Sequence, residues 1–105
     1  MDINFKLRRP INAHTLLRQM GYHPISDQRS QSESWSRTLG KNFYPRFHMY
    51  VTVREQSLRL SLHLDQKKQT LNLPGLKRHA GEYNSAVVQA EAARLQRWLD
   101  YSQRG

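Results

Sequence analysis

The chain contains no cysteine, which excludes disulfides and thiolate-held metals and makes a reducing, cytoplasmic setting the expectation. Acidic residues are scarce: eight Asp and Glu stand against seventeen Lys and Arg, leaving a net charge of +9 at pH 7. No apolar run approaches the roughly 18 residues of a membrane span, and Met1-Asp2-Ile3-Asn4 does not open as a signal peptide does. A soluble protein with no membrane partner is therefore expected. No internal repeat or low-complexity tract is present, and 105 residues suffice for one modest core, so residues 1–105 read as a single domain. The excess of positive charge favours anionic partners, nucleic acid first among them, although charge alone supports only nonspecific binding that decays with salt.

The chain is organised around Tyr44 to Asp65. Phe47, Met49, Val51 and Val53 alternate with Arg46, His48, Tyr50 and Thr52; after a polar link, Leu58, Leu60, Leu62 and Leu64 alternate with Arg59, Ser61, His63 and Asp65. This period of two marks two half-buried strands. The link Arg54-Glu55-Gln56-Ser57 lacks the Gly or Asn of a primed two-residue turn, so a four-residue loop around a type I turn is expected. Setting Val53 opposite Leu58 pairs every apolar residue with an apolar one. On the other face it sets Thr52 against Arg59, Tyr50 against Ser61, His48 against His63 and Arg46 against Asp65. A one-residue slip would expose one apolar set, so burial holds this register.

Elsewhere Ile3, Phe5 and Leu7 alternate in a first strand over residues 2–8, ended by Pro10. Asn12 can cap a short helix whose Ala13, Leu16, Leu17 and Met20 share one side, stopped by Gly21. His14 and His23 then fall near its two ends, on solvated positions. A polar loop is expected at about residues 26–34, a strand at about 33–39 with Trp35 and Leu39 inward and Arg37 in conflict with them, and a basic loop at about 66–80. The last helix, from about Ser85 to Tyr101, carries Val88, Ala92, Leu95 and Leu99 inward and Gln89, Arg94, Arg97 and Asp100 outward. The expected fold is α+β: an antiparallel sheet of three to four strands with two helices on one face, ordered β-α-β-β-β-α. Its helix, three strands, helix core is shared with double-stranded-RNA-binding domains, an order too common to fix a function.

With the helices on the apolar face, the opposite face offers Arg46, His48, Tyr50, Arg59, Ser61, His63 and Asp65. Four uses of this face compete. His48 and His63, with Asp65, His79 or Glu82, could hold a divalent metal, although the spacing matches no metal motif and no cofactor is assigned on it. His63 as general base with His48 or His79 as general acid could cleave a phosphodiester, with Arg46, Lys67 or Lys68 holding the phosphate. Arg46, Arg59, Lys67 and Lys68 could instead contact phosphates while Tyr50, His48 and His63 stack on bases. The plain alternative is an ion pair and two imidazoles on a solvated sheet, worth about 1 kcal/mol or less. Nucleic-acid binding, RNA favoured, is the leading expectation; a phosphodiesterase, a metal-binding protein or a protein-interaction module are the alternatives.

The segments Phe43-Tyr44-Pro45-Arg46-Phe47-His48, His63-Leu64-Asp65-Gln66-Lys67-Lys68 and His79-Ala80-Gly81-Glu82-Tyr83, with Glu91, resemble a family of short bacterial proteins, many from candidate phyla, that has no assigned activity. The likeness spans most of the chain. Here Gln69-Thr70-Leu71 stands in place of Pro-Ser-Tyr, and Asn84 in place of Asp. What the resemblance implies is a set of positions: Arg46, His48, His63, Asp65, Lys67, His79, Glu82 and Tyr83.

Overall fold

The computed structural model describes residues 1–25, 33–66, 81–82 and 84–104; Lys67, Lys68, His79, Tyr83 and most of the expected loops at 26–34 and 66–80 lie outside the described residues. In chain order the elements are β1 (Asp2–Lys6), α1 (Ala13–Gln19), β2 (His23–Ile25), β3 (Glu33–Thr38), β4 (Arg46–Arg54), β5 (Ser57–Asp65), β6 (Gly81–Glu82) and α2 (Ala86–Ser102). Every strand pairing is antiparallel, in the spatial order β1-β5-β4-β3-β2, and β6 joins β5 beyond the end of β1. The α+β class is as expected, but the sheet is wider than three or four strands. The additional strand β2 has only three residues and contains Pro24. Proline lacks an amide donor and is tolerated at a sheet edge, and three residues are too few to display a period.

The central hairpin has the register that the alternation demands: Val53 pairs with Leu58, Val51 with Leu60, Met49 with Leu62, Phe47 with Leu64, His48 with His63 and Arg46 with Asp65. The turn differs from the expected type I loop. Arg54 pairs with Ser57, leaving Glu55 and Gln56 alone at the tip, and Glu55 takes a positive φ of 37°. Positive φ at a hairpin tip matches the right-handed twist of the strands and explains why a tight connection forms without glycine. An L-residue there is strained by about 1–2 kcal/mol, whereas glycine adds an entropic cost of about 0.5–1 kcal/mol. Glu55→Gly is expected to stabilise the fold by about 0.5–1 kcal/mol, read as a higher urea midpoint at unchanged slope; a lower midpoint would contradict it.

The apolar sides of β1, β3, β4 and β5 and both helices build one core from residues including Ile3, Leu16, Leu17, Met20, Trp35, Met49, Leu60, Leu62, Val88, Leu95 and Leu99. Asn12 accepts the Thr15 amide at 3.0 Å and Ser85 the Val88 amide at 3.3 Å, capping the two helices as the sequence implied. Gly21 follows α1 with a φ of +98°, and a Cβ there would lie 3.2 Å from Arg37 Nε, so both backbone and space call for glycine. Two apolar assignments are corrected. Leu39 lies beyond the end of β3 and is 44% exposed, and Val53, next to the hairpin tip, is 50% exposed.

One charged assignment changes as well. Arg94 does not look outward: its Nε donates to Glu91 Oε1 at 2.7 Å and its Nη2 to the Met20 carbonyl at 2.7 Å. Glu91 is buried in the core-facing stripe of α2, where its Oε2 also accepts the Tyr22 hydroxyl at 2.7 Å and lies 3.6 Å from Arg37 Nη1. The inward Arg37 that conflicts with the β3 pattern therefore has a buried carboxylate to meet. Burial, then the charge and hydrogen bond of Glu91, push the Tyr22 phenol well above its ordinary range, so it remains a donor. The bond to Glu91 raises the already basic Arg94 further.

Candidate functional site

The polar face of the sheet is assembled from alternate residues of adjacent strands, so its composition follows from the register that buries the leucines. His48 on β4 and His63 on β5 are direct cross-strand partners, and Asp65 is two residues along β5 from His63, on the same face. His63 Nε2 lies 3.1 Å from His48 Nδ1 and 3.0 Å from Asp65 Oδ1, and His48 Nδ1 lies 3.6 Å from Asp65 Oδ2. The three side chains are only 14%, 12% and 26% exposed for His48, His63 and Asp65. This is not an open, solvated surface but a half-buried convergence of two imidazoles and a carboxylate.

Neighbouring groups orient this cluster. Ser34, buried on β3, hydrogen-bonds His48 Nε2 through its hydroxyl, directing the opposite ring nitrogen, Nδ1, toward His63 and Asp65. Tyr50 tilts against His48 at 4.8 Å between ring centroids and stacks toward His63 at 6.2 Å and 27°. Arg46 closes the other side: its guanidinium carbon lies 4.3 Å from the Phe43 ring centroid and 5.0 Å from that of Tyr44, and its Nε is 3.7 Å from Asp65 Oδ2. That Nε is buried and makes no hydrogen bond among the described residues.

Asp65 experiences opposing effects. Burial would raise its carboxyl, but the hydrogen bond from His63 and the positive charges of His63, His48 and Arg46 together outweigh it and hold the carboxyl below its usual value. A carboxylate shifted in this direction adds stability that is complete above its unfolded value of about 3.9 and is lost as pH falls through the lower folded value.

Of the residues expected at a site, His48, His63, Asp65, Arg46 and Tyr50 come together. Arg59 does not join them: it donates to Asp2 Oδ2 at 2.8 Å on the β1 side, and Ser61 donates to Asp2 Oδ1 at 2.9 Å. These two bonds, Arg59 first, lower the Asp2 carboxyl. Gly81 pairs with Asp65 and Glu82 with Leu64 along the backbone of β6, whereas His79, Lys67 and Lys68 lie outside the described residues. His14 and His23 lie apart on exposed positions, His14 meeting Glu33 at 3.0 Å. Ser34 was legible only indirectly: with Trp35 inward, Ser34 must share the face of the two histidines. Phe43 and Tyr44 as rests for Arg46 had no periodic signal.

The three donor atoms suit one cation. Ligands about 2.0–2.2 Å from a common first-row ion, set on neighbouring corners of a tetrahedron or octahedron, are about 3.0–3.5 Å apart; the two imidazole nitrogens lie 3.1 Å apart, each has an Asp65 oxygen at 3.0 or 3.6 Å, and one ligand atom from each residue falls within 4.8 Å of the others. Two imidazoles and a carboxylate suit zinc, iron, nickel or manganese better than calcium or magnesium, which prefer oxygen throughout. Among the described residues this is the one cluster of three or more such ligands. No protein-family model, curated protein or solved structure matches the chain. Among the described residues no helix is long and apolar enough to cross a membrane.

Proposed function

We propose that the protein binds a divalent transition-metal ion of the zinc class through His48 Nδ1, His63 Nε2 and one carboxylate oxygen of Asp65. The observation that carries this reading is the convergence of the three residues: His48 Nδ1 and His63 Nε2 lie 3.1 Å apart, His63 meets Asp65 Oδ1 at 3.0 Å and His48 meets Asp65 Oδ2 at 3.6 Å, and one ligand atom from each residue lies within 4.8 Å of the other two. The Ser34 hydroxyl supplies the outer support typical of a ligating histidine, which uses its second nitrogen to fix ring orientation. Cobalt(II) provides the test, because its visible absorption reports ligand type and geometry. Titration of the full chain is expected to give a saturable band at one ion per chain, displaced by zinc and absent in His63→Ala and Asp65→Ala. Affinity should fall as the solution is acidified, because imidazole ligands must be unprotonated. Asp65, whose carboxyl is held below its usual value, stays ionised further into acid than an ordinary aspartate. A folded wild-type chain that takes up no cobalt would sink the reading.

A second reading uses the same atoms without metal. His63, bonded to Asp65 at 3.0 Å and to His48 at 3.1 Å, has the neighbours of a general base, and His48 those of the acid that exchanges a proton with it. In this reading the protein is a phosphodiesterase whose turnover of RNA survives chelators and vanishes in His63→Ala. Turnover that a chelator abolishes and zinc restores assigns the chemistry to the metal instead.

A further inference from the structure

Beside the proposed metal position lies a cation that the metal reading does not use. Arg46 is only 13% exposed, its guanidinium rests on Phe43 and Tyr44 at 4.3 and 5.0 Å, and among the described residues its buried Nε finds no acceptor. An aromatic rest of this kind fixes the plane of the guanidinium and leaves its edge to select ligands. The residue facing it, Asp65, approaches Nε only to 3.7 Å, longer than a charge-assisted hydrogen bond of about 2.7–2.9 Å. On the other side of the histidines, Tyr50 offers a ring that is 36% exposed, on the same strand and face as Arg46.

We infer that Arg46, the metal and Tyr50 form one subsite for a phosphodiester of single-stranded nucleic acid: phosphate between Arg46 and the metal, a neighbouring base on Tyr50. This rests on the metal reading. Charge bookkeeping supports it: ligating imidazoles are neutral, so two of them with the Asp65 carboxylate carry −1, and a bound divalent ion brings the set to +1, which attracts a phosphate. A net charge of +9 draws polyanions to the chain. A base can lie on an exposed ring only when it is unstacked from its neighbours, which selects single strands over duplex. Oxyanion recognition by Arg and a metal, joined to a ring for stacking, distinguishes this ligand from free phosphate, which Tyr50 would not sense.

The test measures fluorescence anisotropy of labelled single-stranded RNA, single-stranded DNA and duplex with the full chain, with zinc and with chelator, at about 50 and 200 mM salt. Cobalt absorption is recorded on the same preparations. Zinc is expected to tighten single-strand binding about tenfold or more, Tyr50→Leu to weaken it about fivefold or more, and Arg46→Met to remove most of the zinc-dependent gain. Arg46→Lys, which keeps the charge and loses the planar edge, should recover only part of it. Both Arg46 variants should retain the cobalt band, which shows that the fold and the metal ligands survive. Equal response of RNA and DNA leaves the subsite one for single strands of either sugar; a difference assigns it to the tighter binder. If cobalt binds while nucleic-acid affinity ignores zinc, Arg46 and Tyr50, this inference falls and the metal reading stands. If cobalt does not bind, both fall.

Discussion

Glu91→Ala is expected to destabilise the protein by about 3–5 kcal/mol, because it removes one partner of a buried ionic cluster and leaves the others in place. The carboxylate is nearly sealed, at 4% side-chain exposure, and accepts from the Tyr22 hydroxyl at 2.7 Å and from Arg94 at 2.7 and 2.9 Å. Without it, the fully buried Tyr22 loses its acceptor and Arg94 loses its carboxylate while keeping the Met20 carbonyl. The loss spans several elements at once: α2 through Glu91 and Arg94, the end of α1 through Met20, and β3 through Arg37. Against a total stability of about 5–15 kcal/mol for a typical domain, this is a large fraction. Tyr22→Phe, which deletes one hydroxyl and leaves the ion pair, should cost only about 1 kcal/mol. Urea denaturation of the three proteins, compared at a common slope, measures both values. A Glu91→Ala cost below that of Tyr22→Phe would show that the cluster is not the fastening described.

The polar interior and the polar face differ in how far the sequence discloses them. Eight apolar residues on alternating positions exclude a one-residue slip of β4 against β5, which would expose leucine and bury arginine, and the short link selects among the registers that keep the faces; the meeting of His48 with His63 and of Arg46 with Asp65 follows. Trp35 and the apolar stripe of α2 were legible for the same reason. Beyond reach were features that depend on how separate elements dock. Arg37 breaks its local pattern, and Arg94 fits an outward one, until Glu91, far from Arg37 along the chain and one turn from Arg94, is placed between them. Leu39 fails because alternation cannot tell where a strand stops, and β2 because His23-Pro24-Ile25 is too short to alternate. Glu55 shows the reverse case: its local preference argues against a tight turn, and the pairing of Arg54 with Ser57 overrides it. At the site, the alternation could bring the rings to neighbouring positions, but only the rotamers turn Nδ1 of one toward Nε2 of the other.

Ser34→Ala is expected to weaken zinc or cobalt binding by about 10–100-fold, the range for removing the outer partner of a ligating histidine. The hydroxyl touches no proposed ligand atom; it holds the far nitrogen of His48, so it acts by positioning. Its loss frees the ring to rotate and allows the tautomer with the proton on Nδ1, the nitrogen that must donate a lone pair. Linkage gives the effect a second readout. At free metal 100 times the wild-type dissociation constant, binding stabilises the fold by about 2.7 kcal/mol. A tenfold weaker variant retains about 1.4 kcal/mol of that and a hundredfold weaker one about 0.4 kcal/mol. Without metal, the same substitution forfeits one hydrogen bond, about 0.5–1.5 kcal/mol. A positioning role therefore requires the cost of Ser34→Ala to be greater with zinc than with chelator. Equal costs in the two conditions would make Ser34 a strand residue with a satisfied hydroxyl and leave the orientation of His48 to its packing against Tyr50 and His63.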